Sequence, residues 1–137
     1  MTQADCLFCS IVSGENPATV IREDNRTLAF MDINPATRGH CLVIPKQHSD
    51  DLTLIDPEDI AACSIAAQEL AQRAISKLGA DGVALISFAK PAAGQTVFHT
   101  HLHVIPRYEG DGLKQPWIPN NVDAAEIESS AKEMSND

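Results

Sequence analysis

Aromatic side chains are scarce: four Phe, one Tyr and one Trp make up 4% of the 137 residues. A core with so few rings has to be built from Ala, Ile, Leu and Val, which suits thin layers of helix on sheet. Basic residues are few as well, 10 against 19 acidic ones for a net charge of −9. That balance argues against a general nucleic-acid binder, because affinity for a phosphate backbone rests on clustered Lys and Arg. A small phosphorylated ligand is still compatible with it, since backbone N–H groups, histidines and a few local cations can hold one. No run approaches the roughly 18 apolar residues of a membrane span. Met1-Thr2-Gln3-Ala4-Asp5 has neither the basic nor the apolar region of an export signal. The expectation is a cytoplasmic protein with no membrane partner. In a reducing setting Cys6, Cys9, Cys41 and Cys63 do not predict a disulfide framework. Cys6-Leu7-Phe8-Cys9, a C-x-x-C, then needs another explanation.

Length and the 44% hydrophobic content match one ordinary domain. A turn-rich stretch runs from Ser10 to Pro17. Two short apolar runs, Ala18 to Ile21 and Thr27 to Met31, flank Arg22-Glu23-Asp24-Asn25-Arg26 and predict a hairpin. His40-Cys41-Leu42-Val43-Ile44-Pro45 predicts a third strand. Asp56 is a good N-cap, with Pro57 at the first helical position and Glu58 and Asp59 in the first turn. From there Ile60, Cys63, Ala67, Leu70, Ala74, Ile75 and Leu78 recur at helical spacing up to Gly79, a C-terminal stop. Val83 to Phe88 predicts another strand and Pro91 to Gly94 a loop. Asp123 to Met134 predicts a short helix with Ile127, Ala131 and Met134 along one side, after Pro116-Trp117-Ile118-Pro119, which has no period. The order β-β-β-α-β-β favours an antiparallel sheet with helices, an α+β fold. Residues 1–112 are expected to form the domain, and 113–137 an acidic extension that packs on it or on a partner.

Three of the five histidines, His99, His101 and His103, recur at every second position of Val97-Phe98-His99-Thr100-His101-Leu102-His103-Val104-Ile105-Pro106-Arg107. As one continuous strand this puts the three imidazoles on one face and Phe98, Leu102 and Val104 on the other. The outer two then lie roughly 13 Å apart at the backbone and cannot readily share a metal ion. Imidazole titrates near pH 6.5, so each ring can act as nucleophile, proton carrier or ligand without a large shift.

His99-Thr100-His101-Leu102-His103-Val104-Ile105 resembles the signature of the histidine-triad nucleotide-binding proteins. Leu28 to Pro35, Gly39 to His48 and Ala93 to Val97 are similar to further family segments, in the family's order. The resemblance implies an antiparallel five-stranded sheet with one long and one or two short helices, extended across a homodimer, with a purine nucleotide or nucleoside phosphoramidate at the sheet edge. By the same carry-over His101 is the nucleophile toward the α-phosphorus, His103 donates to the phosphate and His40 supports the cluster. Gly94, Gln95 and Thr96 border the phosphate, Asp32 binds the ribose, and Phe8, Ile11, Ile33 and Leu42 line the base pocket; plain core packing is the competing account of those four. Cys6, Cys9, His48 and His99 match the structural zinc ligands of some bacterial members, with a reduced, unliganded pair as the alternative. Cys41 and Cys63 fall in apolar patterns and read as core.

Phe88 stands where relatives usually carry an Asn near the phosphate, and Lys90 where they carry Gly. Ser87 or Lys90 is a candidate to replace the missing donor. Trp117 is similar to a C-terminal Trp that reaches the partner's site in some members, with a dimer contact or a surface anchor as alternatives. The implied activity is hydrolysis of nucleoside 5′-phosphoramidates. Its rivals are dinucleoside polyphosphate hydrolysis, a binding module with little catalysis, and a metal enzyme using the histidines directly.

Overall fold

A computed structural model describes residues 5–114 and 117–136; Pro116 of the aperiodic stretch, Asp137 of the acidic tail and the first four residues lie outside them. The elements are α1 (Leu7–Ser13), β1 (Val20–Glu23), β2 (Thr27–Met31), β3 (Cys41–Pro45), α2 (Pro57–Leu78), β4 (Gly82–Ile86), β5 (Leu102–Arg107) and α3 (Ala124–Ser135), with a single 3₁₀ turn at Pro91–Ala93. The five strands form one antiparallel sheet in the order β1-β2-β3-β5-β4.

Local chemistry sets the boundaries. The Asp56 carboxylate accepts from the Glu58 N–H and caps α2, and Gly79 closes that helix in the left-handed region. The β1–β2 turn is tighter than the sequence predicts, because Asp24 Oδ1 accepts from both Arg26 N and Thr27 N at 2.8 Å. Arg22 and Glu23 therefore fall within the strand. Gly39 has a φ of +91°, which L side chains rarely adopt and which favours glycine there, beside the Leu78 side chain of α2.

The sheet is apolar on both faces. On one, Ala29, Cys41, Val43, Leu102 and Val104 pack with Cys63, Ala66, Ala67 and Leu70 of α2. On the other, Leu28, Phe30, Leu42 and Ile44 pack under Phe8 of α1. Burial pushes the thiols of Cys41 and Cys63 up to about 11 and about 12, so both are protonated core residues. The extension is different: α3 buries no residue, and Trp117 is exposed.

The histidine strand starts later than its alternation suggests. β5 begins at Leu102, and its pairing with β3 covers Leu102 to Val104 alone. The residues before it are held by a loop, with Thr100 N–H donating to Ser49 O at 2.7 Å. Phe98, which continuous alternation puts on the face of Leu102 and Val104, is 47% exposed, because the pleat that would turn it inward has not begun. The three imidazoles nonetheless stay on the α1 side, with Phe8 meeting the rings of His99 and His101, and His101 meeting His103. His103 is on the pleat, and His99 and His101 are placed by the irregular segment.

Candidate active site and metal cluster

A cleft of about 630 Å³ opens between α1 and the sheet, with His40, His101 and His103 at its inner end and Phe8, Ile11, Phe30 and Leu42 as apolar walls. Asp32, Ile33 and Thr96 also line it, with Ile33 91% exposed at the rim. Leu7, Asn16, Pro17, Ala18, Met31, Asn34 and Val97 are further walls that the sequence did not mark. Phe30 was the legible one, since strand alternation puts it beside Leu28 on the α1 face. The size and the apolar walls with a few convergent polar groups suit a small-molecule site.

Backbone partners assign the protons. His101 Nδ1 is 2.7 Å from the carbonyl of His99; a carbonyl only accepts, so Nδ1 carries the hydrogen and Nε2 holds a free lone pair. Burial lowers the His101 pKa, opposed by that hydrogen bond. Its ring meets Phe8 edge-on at 5.1 Å and His103 at 5.0 Å.

His40 Nδ1 accepts from Ala36 N–H at 2.9 Å, which leaves the hydrogen on Nε2. That atom is 3.0 Å from His103 Nδ1 and 3.4 Å from Asp32 Oδ2. His103 Nδ1 is then an acceptor, and its Nε2–H is left to donate. Asp32, His40 and His103 bring their ligand atoms within 4.8 Å of one another, but the proton on His40 Nε2 makes the trio a directed hydrogen-bond chain. Burial holds His103 down to about 4 and lowers His40. The folded pKa values lie below the unfolded 6.5, so this pair's contribution to stability is full above pH 6.5 and is lost as pH falls toward 4. Imidazole ¹⁵N NMR at pH 7 is expected to show both rings as neutral Nε2–H tautomers, with His103 titrating well below His40's unfolded value; an Nδ1–H signal for His40 would break the chain.

Cys6, Cys9, His48 and His99 likewise place their ligand atoms within 4.8 Å of one another. His99 Nδ1 is 3.4 Å from Cys6 Sγ and 3.6 Å from Cys9 Sγ, and His48 Nδ1 is 3.4 Å from Cys9 Sγ. A tetrahedral zinc with Zn–S about 2.3 Å and Zn–N about 2.0 Å has N···S edges of about 3.5 Å. The outer nitrogens are tied as metal-binding imidazoles require, His99 Nε2 at 2.8 Å from Pro45 O and His48 Nε2 at 2.7 Å from Asp50 Oδ1. Both bonds put the hydrogen on Nε2 and turn the Nδ1 lone pairs to the sulfurs. The donor set fits zinc, with no position left open.

The loop before the triad is braced differently from expectation. Gln95 faces away from the cleft: its Oε1 accepts from Lys90 N at 2.6 Å, and its Nε2 donates to Asp50 O at 2.6 Å and Val97 O at 3.0 Å. Gly94 closes the 3₁₀ turn and is not a cleft wall. Both candidate substitute donors have protein partners. Ser87 Oγ donates to His101 O at 2.9 Å, and Lys90 Nζ pairs with the buried Asp51 at 2.9 Å. Lys90 has a φ of 75°, where relatives' glycine costs nothing; its two side-chain and backbone bonds hold it there. Phe88 lies beyond the end of β4, its ring centroid 5.6 Å from that of His103.

A model of the HIT domain matches residues 13–110. The adenylylsulfatase HINT3 of Arabidopsis thaliana is 40% identical over 111 residues, which are 81% of this chain and 56% of that protein. The crystal structure of SMU.412c from Streptococcus mutans superposes with a TM-score of 0.91 at 34% identity, over 97% of this chain and 85% of that one. A zinc-bound histidine triad family protein from Mycobacterium smegmatis does so with a TM-score of 0.78 at 48% identity, over 85% and 84%. With the matched domain spanning most of its length and the sheet, cleft and histidines in place, the chain belongs to the HIT, or histidine triad, family.

Proposed function

We propose that this protein is a nucleotide-binding hydrolase that cleaves nucleoside 5′-phosphoramidates or related nucleoside monophosphate conjugates, with His101 as nucleophile. The observation that carries the reading is the His101 Nδ1–H bond to the His99 carbonyl, which leaves Nε2 as an unprotonated nitrogen at the end of a nucleoside-sized cleft. The base stacks among Phe8, Ile11 and Leu42, Asp32 takes the ribose, and Thr96 borders the phosphate. His103 Nε2–H donates to a phosphoryl oxygen, held in that role by His40. Support comes from the Arabidopsis relative, named for hydrolysis of an adenylyl conjugate of sulfate. Cys6, Cys9, His48 and His99 would hold zinc, which supplies a structural cross-link between α1 and the strand ends. A cytoplasmic setting is part of the reading; no described helix is long and apolar enough to cross a membrane.

The test is mass spectrometry of protein quenched during turnover of adenosine 5′-phosphoramidate, with a nucleotidyl adduct on His101 expected. Phe88 beside His103 favours one rival, a binding module with little catalysis; tight purine nucleotide binding without turnover of any phosphoramidate or dinucleotide would select it.

A homodimer is part of the reading. The sheet has two edges, β1 and β4. β1 is four residues long with a register shift between Val20 and Arg22, and such a bulge blunts an edge. β4 pairs without a break over five residues and carries Leu85, 53% exposed. We place the contact at β4, with residues 113–137 docking on the partner. Sedimentation velocity is expected to show a dimer, and Leu85→Glu a monomer; a monomeric wild type removes the proposal.

A further inference from the structure

We propose that Phe88 selects the leaving group, favouring nucleotide conjugates whose departing amine carries an apolar, ring-bearing body. The inference rests on the hydrolase reading above and deepens it. Across the cleft side of the sheet, Leu42 of β3, His103 of β5 and Ile86 of β4 are register partners. On the Leu42 side, Phe8 of α1 covers the sheet and the cleft forms. Its walls include His103, and neither Ile86 nor Phe88 is among them. On the far side Ile86 and Ile105 are half-buried, Phe88 is 36% exposed, and the Phe88 ring meets that of His103 at 64°. His103 thus divides the face into a nucleoside cleft and an apolar shelf.

In-line displacement puts the entering and leaving atoms on opposite sides of phosphorus. With the nucleoside in the cleft and His101 Nε2 attacking, the remaining substituent passes His103 and meets the shelf. Bond making and breaking balance simply. Nε2 bonds to phosphorus, the P–N bond breaks, and its electron pair stays on the amine, which takes a proton from solvent. Water then adds to phosphorus, Nε2 leaves with its pair, and the proton is released.

The polar side chains on either side of Phe88 in the sequence, Ser87 and Lys90, are already engaged. Ser87 Oγ is bonded to the His101 carbonyl, and Lys90 Nζ to Asp51. An anionic leaving group, sulfate or a nucleotide, finds no uncommitted side-chain cation from these residues. An apolar one gains a ring to pack against.

The experiment compares kcat/KM for three adenosine 5′-monophosphate conjugates, those of ammonia, an arylethylamine and sulfate, in wild type, Phe88→Leu and Phe88→Ala. Wild type is expected to favour the arylethylamine over the other two by about tenfold or more. Phe88→Ala is expected to lower that preference about tenfold, and Phe88→Leu to keep part of it. Inhibition by adenosine 5′-monophosphate reports whether the nucleoside cleft is intact in each variant. Turnover with a preference unchanged in a variant that still binds this product overturns the proposal alone. Turnover of none of the three by wild type overturns the hydrolase reading and the proposal with it.

Discussion

His101→Ala is expected to lower kcat/KM for adenosine 5′-phosphoramidate by at least about 10⁴-fold, about 5 kcal/mol of transition-state stabilisation, and to abolish the adduct. The size follows from the role proposed for the residue. A group that forms the covalent bond cannot be replaced by its neighbours, whereas a phosphate donor can be lost and part of the rate kept. Nucleotide binding should survive, because Phe8, Phe30, Leu42 and Asp32 still wall the cleft. The loss should thus appear in kcat far more than in product affinity measured by calorimetry. His103→Ala is the control: a slower adduct on His101 is expected, since its nitrogen and its bond to the His99 carbonyl are untouched. Undiminished hydrolysis by His101→Ala would sink the mechanism.

Metal removal is the second large effect, and it should fall on stability. At zinc a thousandfold above its Kd, binding adds about 4 kcal/mol, or roughly 10–20 °C in Tm for a domain of this length. A chelator is expected to lower Tm by that amount, with fast readdition of zinc restoring it. The fold should survive at room temperature, because its two apolar clusters lie on opposite sheet faces and one of them does not involve α1. Cys9→Ala should show the lowered Tm already and no response to the chelator. Cobalt substitution gives a reading independent of both stability and activity, through thiolate-to-metal absorption. An immediate stop in hydrolysis with Tm unchanged would point to a metal that takes part in the reaction.

Much of the molecule was legible where one residue type dictates one conformation. Asp56, Pro57 and Gly79 announced both ends of α2, and the apolar period between them announced its buried stripe. The clustering of Cys6, Cys9, His48 and His99 was legible from the resemblance alone, because His48 and His99 are 51 positions apart and only the fold puts them beside Cys6 and Cys9. The histidine alternation misled at its N-terminal half. Period-two spacing describes a strand only where a neighbour pairs with it, and β3 reaches no further than Leu102. The brace around Lys90 could not be read at all. A lysine at a φ of 75° is tolerable through Asp51, distant in sequence, and through Gln95, an amide marked for the phosphate and not for a backbone brace.

His99 offers its ring to the sulfurs and its main-chain oxygen to Nδ1 of His101, the proposed nucleophile. The oxygen belongs to every amino acid, and the ring to histidine alone. A lineage can therefore exchange or discard the imidazole at this position and still offer the carbonyl that holds His101 in its Nδ1–H tautomer. The two sites share a residue and are heritable apart.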